Sequence, residues 1–477
     1  MLRRAKRKKK TTKPPVVNTR LLASIKKAAI EKEGFDTKIK ITKEFKDAYD
    51  AMENTDDHIF LTGRAGTGKS TLLKYFRSKT KKKFVILAPT GVAALNVKGQ
   101  TIHSFFGFHP KIEKTRVRRA HPDNRKLFEN LEVVVIDEIS MVRADLLDCV
   151  DKALRLNRGR PKEEFGGVQM IFIGDLFQLP PVVTNDEQSR FTSEYISPYF
   201  FSSEVMQEIG IKKIELQKVH RQEDRDFIKL LNNIRCGKID STDLEAWEAC
   251  HDPFFDPREE VEYIVHLTTT NKMAEARNNF ELQKLDSEEW LLKAKSIGQL
   301  GTRKMPSEPK LVVKEGARVM FTTNDPSRRW VNGSLGVIRK IRCKGLEKLP
   351  TLYVELDSGE RVEVAQHKWE VFEYQYNGEN FEEETIGSYS QYPIVLAWAV
   401  TIHKAQGKTF DQVLVDVGWG AFAHGQMYVA LSRCTTMGGI TLLKPFAAKD
   451  VIVDRAVLDF MAKDTYKSKP RQSKIEY

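Results

Sequence analysis

Eight consecutive residues, Gly63-Arg64-Ala65-Gly66-Thr67-Gly68-Lys69-Ser70, constrain this chain more than any other feature of it. They match G-x-x-x-x-G-K-[ST] without exception, between a β-rich run at His58–Thr62 and a helical stretch at Ser70–Ser78. Glycines at these places let backbone N–H groups close around phosphate oxygens, and the following helix N-terminus adds positive potential. Lys69 is the expected partner of the β- and γ-phosphates, and Ser70 the expected ligand of Mg²⁺. The expected nucleotide-binding set is Gly63, Gly66, Thr67, Gly68, Lys69, Ser70 and Thr71.

The surrounding pattern supplies the fold that such a loop needs. Phe84–Ala88, Leu131–Ile136 and Val168–Ile173 are further β-branched apolar runs separated by helical segments, and Lys43–Asn54 has helical character ahead of the first strand. Buried strands alternating with helices predict a parallel sheet covered on both faces. A second α/β set is expected from Lys213–Leu216, Tyr263–Thr268, Ile394–Leu396, Val413–Val417 and Ile440–Leu443, with helices such as Arg225–Arg235 between. Residues 311–370 interrupt it. There Leu352, Val354 and Leu356 alternate with Tyr353 and Glu355, and Asp357-Ser358-Gly359 and Asn332-Gly333 mark turns, the pattern of a small inserted β-barrel.

Val133-Val134-Val135-Ile136-Asp137-Glu138 is the expected partner of the glycine-rich loop. A buried strand delivers Asp137 to the metal, and Glu138 is placed to orient or deprotonate an attacking water. These elements predict a nucleotide hydrolase and no more, because kinases, GTPases, AAA+ remodellers and transport ATPases share them.

Charge narrows the partners less than its total suggests. The formal net charge is +13, but residues 1–30 carry eleven Lys or Arg and no acid, and residues 463–477 carry a further +3. The remainder is close to neutral. The tails can touch DNA or simply aid solubility. Five scattered cysteines (Cys149, Cys236, Cys250, Cys343, Cys434) form no C-x-x-C pair, which argues against a zinc ribbon or a disulfide framework. No apolar run approaches the ~18 residues of a membrane span. Met1–Lys10 is basic with no apolar segment behind it, so no signal peptide and an intracellular location are expected. That means cytoplasm or nucleoid for a prokaryote or virus, nucleus or mitochondrion for a eukaryote.

The remaining motifs discriminate among hydrolases. Ala88-Pro89-Thr90-Gly91-Val92-Ala93-Ala94 and Thr101-Ile102-His103-Ser104-Phe105 resemble the DNA-contacting segment of superfamily-one helicases. Gly174-Asp175-Leu176-Phe177-Gln178-Leu179-Pro180-Pro181-Val182 resembles their G-D-x-x-Q-L-P-P-V motif, and Leu216-Gln217-Lys218-Val219-His220-Arg221-Gln222 their arginine-bearing motif. Thr401-Ile402-His403-Lys404-Ala405-Gln406-Gly407-Lys408-Thr409 is similar to T-x-H-K-x-Q-G-x-T, and Tyr428-Val429-Ala430-Leu431-Ser432-Arg433 to Y-V-A-L-S-R. With Asp145-Leu146-Leu147-Asp148 and Phe165-Gly166-Gly167-Val168-Gln169, the set resembles the petite integration frequency (PIF) DNA helicases of the RecD/Dda-like branch.

That resemblance implies an α/β fold of two RecA-like P-loop cores with parallel sheets, and an SH3-like barrel inserted in the second. The expected units are a basic tail (1–35) and a first core (36–195) with a wedge insertion at about 109–130. A second core (196–290 and 385–450), the insertion (291–384) and a C-terminal helix with a basic tail (451–477) complete them. The wedge, carrying Arg116, Arg118 and Arg119, is equally open to reading as a solvated loop.

The resemblance further implies ATP as fuel with Mg²⁺, Gln178 as γ-phosphate sensor, and Arg221 and Arg433 as arginine fingers. With Lys69, Asp137 and Glu138 these are the expected catalytic residues, Ser70 and Asp137 holding the metal. Thr90, His103, Ser104, Phe105, Thr401, His403 and Lys404 are the expected contacts to single-stranded DNA, although Phe105 fits a plain core aromatic as well. The partners implied are single-stranded and forked duplex DNA, bound by a monomer able to pair on DNA, with no membrane. Travel is implied to be 5′-to-3′, in replication, repair, recombination or telomere maintenance. A RecD-like recombination subunit and a single-core AAA+ remodeller with a helical lid stay open. One departure stands out: relatives place an adenine-reading Gln ahead of the P-loop, near Lys43–Lys46, whereas the first Gln of this chain is Gln100.

Overall fold

The computed structural model describes residues 42–256, 264–298, 300, 305–343, 349–418 and 420–463. The basic tails expected at 1–35 and after 463 lie outside the described residues.

Continuous Val/Ile-rich runs have no polar face to turn to water, so they become inner strands of a parallel sheet covered on both sides. β1 (His58–Gly63), β4 (Val133–Ile136) and β5 (Gln169–Ile173) are buried along their whole length. With β2 (Phe84–Ala88), β3 (Gln100–Thr101) and β6 (Ile211–Leu216) they form a six-stranded sheet ordered β3-β2-β4-β5-β1-β6, every pair parallel. Here the structure corrects the sequence reading. Lys213–Leu216, expected in the second α/β set, pairs in register with β1 and closes the first sheet. The first sheet therefore extends past the expected boundary at 195.

The second sheet comprises β7 (Val265–Thr268), β18 (Ala399–Thr401), β19 (Val413–Asp416) and β20 (Ile440–Leu442), ordered β18-β7-β19-β20 and also parallel throughout. A second parallel sheet rules out one core with a helical lid. Ile394–Leu396, also expected here, is instead β17 and pairs antiparallel with β11 (Arg318–Phe321).

The segment between these strands is β-rich, as the alternation predicted. β11, β12 (Leu335–Arg342), β13 (Thr351–Leu356), β14 (Arg361–Val364) and β17 form an antiparallel sheet over a core of Phe321, Ile338, Leu352, Val354 and Trp330. Among the described residues this sheet does not close into the expected barrel: β14 and β17 remain its edges. A long hairpin, β15 (His367–Tyr376) and β16 (Phe381–Gln391), pairs with β9 (Lys295–Gly298). Its tip lies on the first core. Tyr374 Oη accepts from Ile86 N at 3.3 Å, Lys83 Nζ donates to Tyr376 Oη at 3.2 Å, and Arg77 pairs with Glu383 at 2.8 Å.

Residues 109–130 are part exposed loop, at 109–121 with Arg116, Arg118 and Arg119, and part ordered helix. They contain a short 3-10 turn, Lys114–Arg116, and a helix, Pro122–Asn130, whose Leu127 and Phe128 enter the first core. Proline at the helix start costs no hydrogen bond, since that N–H is an orphan anyway. Arg118 donates to the Thr115 carbonyl at 2.8 Å, and Arg116 is exposed beside Glu113.

Candidate active site

The loop after β1 folds as its glycines require. Gly68 has φ +91°, a left-handed conformation that L side chains avoid, and caps the Lys69–Lys79 helix. Gly66 meets a second demand: a Cβ there would fall 2.6 Å from Arg221 Cβ. Arg221 sits on the segment leaving β6, which lies directly on the loop, with His220 N donating to Gly66 O at 2.9 Å. It is therefore held at the junction of the cores rather than deep within the second.

Lys69 Nζ donates to Gly63 O at 2.6 Å and Arg64 O at 3.0 Å. Burial pulls its pKa below the usual lysine range, opposed by the carboxylates of Asp175 and Glu138. Asp137 leaves β4 buried, and burial followed by the neighbouring Glu138 pushes its carboxyl up to about 7. Burial also raises Glu138, whose backbone is left-handed at φ +53°. A non-glycine residue held there is costly and clusters at functional sites.

A cleft of about 850 Å³ opens between the cores. Gly66–Thr71, Glu138 and Gln178 line it from the first core, Gly407, Thr409 and Arg433 from the second, and Arg221 from the segment that leaves β6 and lies on the phosphate loop. Arg433 is 1% exposed and pinned to its own core, donating to Val429 O at 2.7 Å and Lys408 O at 3.2 Å. Burial, then the facing Arg221, lowers its pKa to about 9. Two desolvated cations opposite a buried lysine form a site that an inserted polyanion relieves. The structure thus brings Lys69, Asp137, Glu138, Gln178, Arg221 and Arg433 to one seam.

A fit for Mg²⁺ follows from the donors. Ser70 lines the cleft in the phosphate loop and Asp137 lies within electrostatic reach of Lys69, so each offers a hard oxygen there. That suits a cation which keeps most of its water and binds through one or two protein oxygens plus phosphate.

The far end of the cleft is lined by Thr42, Glu44, Phe45, Leu216 and Lys218. Glu44 accepts from Gln217 N at 3.2 Å, and Phe45 is buried edge-on against Tyr75 at 5.4 Å. Among the described residues, no side-chain amide lines that end. Discrimination between ATP and GTP in kcat/KM is therefore expected to stay below about tenfold, because large selectivity requires a dedicated hydrogen-bond partner. Competing-substrate hydrolysis measures it, and a preference above about 10³ contradicts it.

The expected DNA contacts are divided between surface and interior. Thr90 and Thr101 cap short helices at the ends of β2 and β3, accepting from Ala93 N and Ser104 N. His103 and Ser104 are half-buried, and Ser104 Oγ accepts from Gln100 Nε2 at 2.9 Å. Phe105 packs edge-on against Phe106, Phe128 and Tyr374, so its ring serves the core and the hairpin contact. Thr401 is buried, while His403 and Lys404 are exposed.

Three residues at the seam were not singled out from sequence. Tyr428 Oη accepts from Ala65 N at 3.1 Å, inside the phosphate loop. Gln406 Nε2 donates to Gln178 Oε1 at 3.0 Å and lies 3.3 Å from Glu138 Oε2. Both stand in motifs quoted above, so the signal was present. Arg235, 3.0 Å from Asp175, had no such signal.

A family model described as PIF1-like helicase matches residues 40–245. The chain is 31% identical over 433 residues to the ATP-dependent DNA helicase Pif1 of Bdellovibrio bacteriovorus, covering 88% of this chain and 92% of that one. A Bacteroides Pif1 in complex with ADP-AlF4 superposes with a TM-score of 0.80 at 34% identity, over 89% of this chain and 96% of that one. Bacteroides Pif1 bound to single-stranded DNA gives 0.64 at the same identity, over 88% and 96%. On this identity and coverage the chain belongs to the PIF1-like helicase family.

Proposed function

We propose that this chain is an ATP-dependent DNA helicase that moves 5′-to-3′ on single-stranded DNA and opens forked duplexes. The observation that carries the reading is the seam: Lys69, Glu138 and Gln178 of the first core share one cleft with Arg433 of the second and with Arg221 at the junction. A nucleotide there contacts both cores at once, so its γ-phosphate favours closed over open. Lys69 holds the phosphates and Glu138 orients the water. Arg221 and Arg433 offset charge developing on the transferred phosphoryl group. Ser70 and Asp137 hold Mg²⁺, which supplies further charge neutralisation on the phosphates.

Thr90, His103, Ser104, Thr401, His403 and Lys404 then meet the strand, with backbone amides at the capped helix starts holding phosphates. Opening and closing alternates the grip of the two cores, and each hydrolysis becomes a step. The β15–β16 hairpin rests on the first core beside Phe105, next to the segment that meets the strand in this reading. The inserted antiparallel sheet takes the place of an SH3-like module, and the helical segment at 109–130 that of the wedge.

Matched duplexes with a 5′ or a 3′ single-stranded tail test the reading. ATP-dependent unwinding of the 5′-tailed fork alone is expected. Equal unwinding of both overturns the polarity, and ATPase indifferent to DNA overturns the helicase assignment.

A further inference from the structure

The Arg225–Cys236 helix belongs to the second core, where Phe227, Leu231 and Ile234 pack with Trp247, Val413 and Val429. Its penultimate residue points the other way. Arg235 crosses the seam: Nη2 donates to Asp175 Oδ1 at 3.0 Å, Nη1 lies 3.5 Å from Glu215 Oε1, and the guanidinium sits 4.2 Å over the Phe177 ring. The side chains of Arg235 and Asp175 are 6% and 0% exposed.

Asp175 is the hub of the loop after β5. Its carboxylate also accepts from Phe177 N at 3.2 Å and from Gln178 Nε2 at 3.3 Å. The other end of that Gln178 amide accepts from Gln406 Nε2, which lies beside Glu138. Arg235, Asp175, Gln178, Gln406 and Glu138 thus form one run of contacts that passes back and forth between the cores and ends on the group placed to activate water. Gly425 of the second core presses on the same loop: a Cβ there would lie 2.3 Å from Phe177 O.

We propose that Arg235 is a positioning residue for hydrolysis. By holding Asp175, it sets the Gln178 amide against Gln406 and Glu138, so the reacting geometry depends on the second core being seated. The proposal rests on the helicase reading above. A buried ion pair contributes little net stability, since desolvation offsets attraction. What it supplies here is orientation, through a planar fork stacked on an aromatic ring. It also occupies a carboxylate close enough to Lys69 to compete for that ammonium.

The test is steady-state ATPase with and without single-stranded DNA. Arg235→Lys keeps the charge and loses the fork and the stack. Its DNA-stimulated kcat is expected to fall about 10- to 100-fold, the scale of a misplaced reacting group. The KM for ATP is expected to stay within about threefold, since ground-state binding is untouched. Arg235→Met combined with Asp175→Asn removes both charges, so no buried carboxylate is stranded and the chain folds. Arg235→Met and Asp175→Asn are also measured alone, and because Arg235 acts through Asp175 the double variant is expected to be no slower than the slower of these two. A kcat of Arg235→Lys within about threefold of the parent, a loss confined to KM, additive losses in the double variant, or a double variant that fails to fold each overturn the proposal. A parent protein without DNA-stimulated hydrolysis overturns the helicase reading, and this inference with it.

Discussion

Arg221→Ala and Arg433→Ala are each expected to lower DNA-stimulated ATP turnover by about 10³- to 10⁵-fold, the range seen when an arginine finger is withheld from phosphoryl transfer. Both side chains line the cleft that holds Lys69, Arg433 from the second core and Arg221 from the junction of the two. Charge moves onto the phosphoryl oxygens during transfer, and a cation already placed and desolvated there needs no reorganisation. The two variants differ in what else they disturb. Arg433 donates to the Val429 and Lys408 carbonyls and to Ser432 Oγ, so its removal also takes away bonds that hold its own core, at about 0.5–1.5 kcal/mol each. Arg221 has one bond, to Ser432 O at 3.2 Å, and its loss leaves the fold nearly intact. Arg221→Ala is therefore the cleaner variant. It should retain nucleotide binding while kcat collapses, as stopped-flow binding and steady-state turnover on the same preparation will show. Full turnover in Arg221→Ala contradicts the role.

Lys69→Ala is expected to lower the same turnover by at least about 10²- to 10³-fold, the cost of removing one preorganised charge donor. Lys69 is held by the Gly63 and Arg64 carbonyls within the loop, and burial already depresses its pKa. Binding phosphate transfers this ammonium from two neutral acceptors to anionic ones, where its hydrogen bonds are stronger. Alanine removes that gain and also a desolvated cation, so the melting temperature should hold or rise slightly while activity is lost. Thermal melts with turnover separate the two effects. A Lys69→Ala protein with unchanged activity places the chemistry elsewhere.

Local pattern made the first core legible where structure is decided locally. The glycine spacing, the all-apolar strand before Asp137 and the helix after Lys69 each follow from residues next to one another in the chain. Pairing partners do not. Ile211–Leu216 mixes apolar residues with Lys212, Lys213 and Glu215, and nothing in those six residues says which sheet has a vacant edge. Ile394–Leu396 is too short an apolar run to separate a parallel strand from an antiparallel one. The six expected catalytic residues lay in motifs, and all six line or adjoin the cleft. Arg235 stands in the last turn of its helix, a place where the helix dipole favours a cation on any helix, so its residue type carries no signal of a site. Its partner Asp175 lies sixty residues away in sequence, and only the packed seam reveals the pair. Glu138 carries a backbone strain that no residue type announces.

The decisive measurement is a crystal structure of the protein with ADP, aluminium fluoride, Mg²⁺ and single-stranded DNA. Lys69 should contact the β-phosphate and the fluoride. Arg221 and Arg433 should both donate to the fluoride from the opposite wall, at about 3 Å. A nucleotide seated on Lys69 in a closed cleft, with both guanidiniums farther than about 6 Å from the transferred group, would contradict a motor worked by charge supplied across the seam.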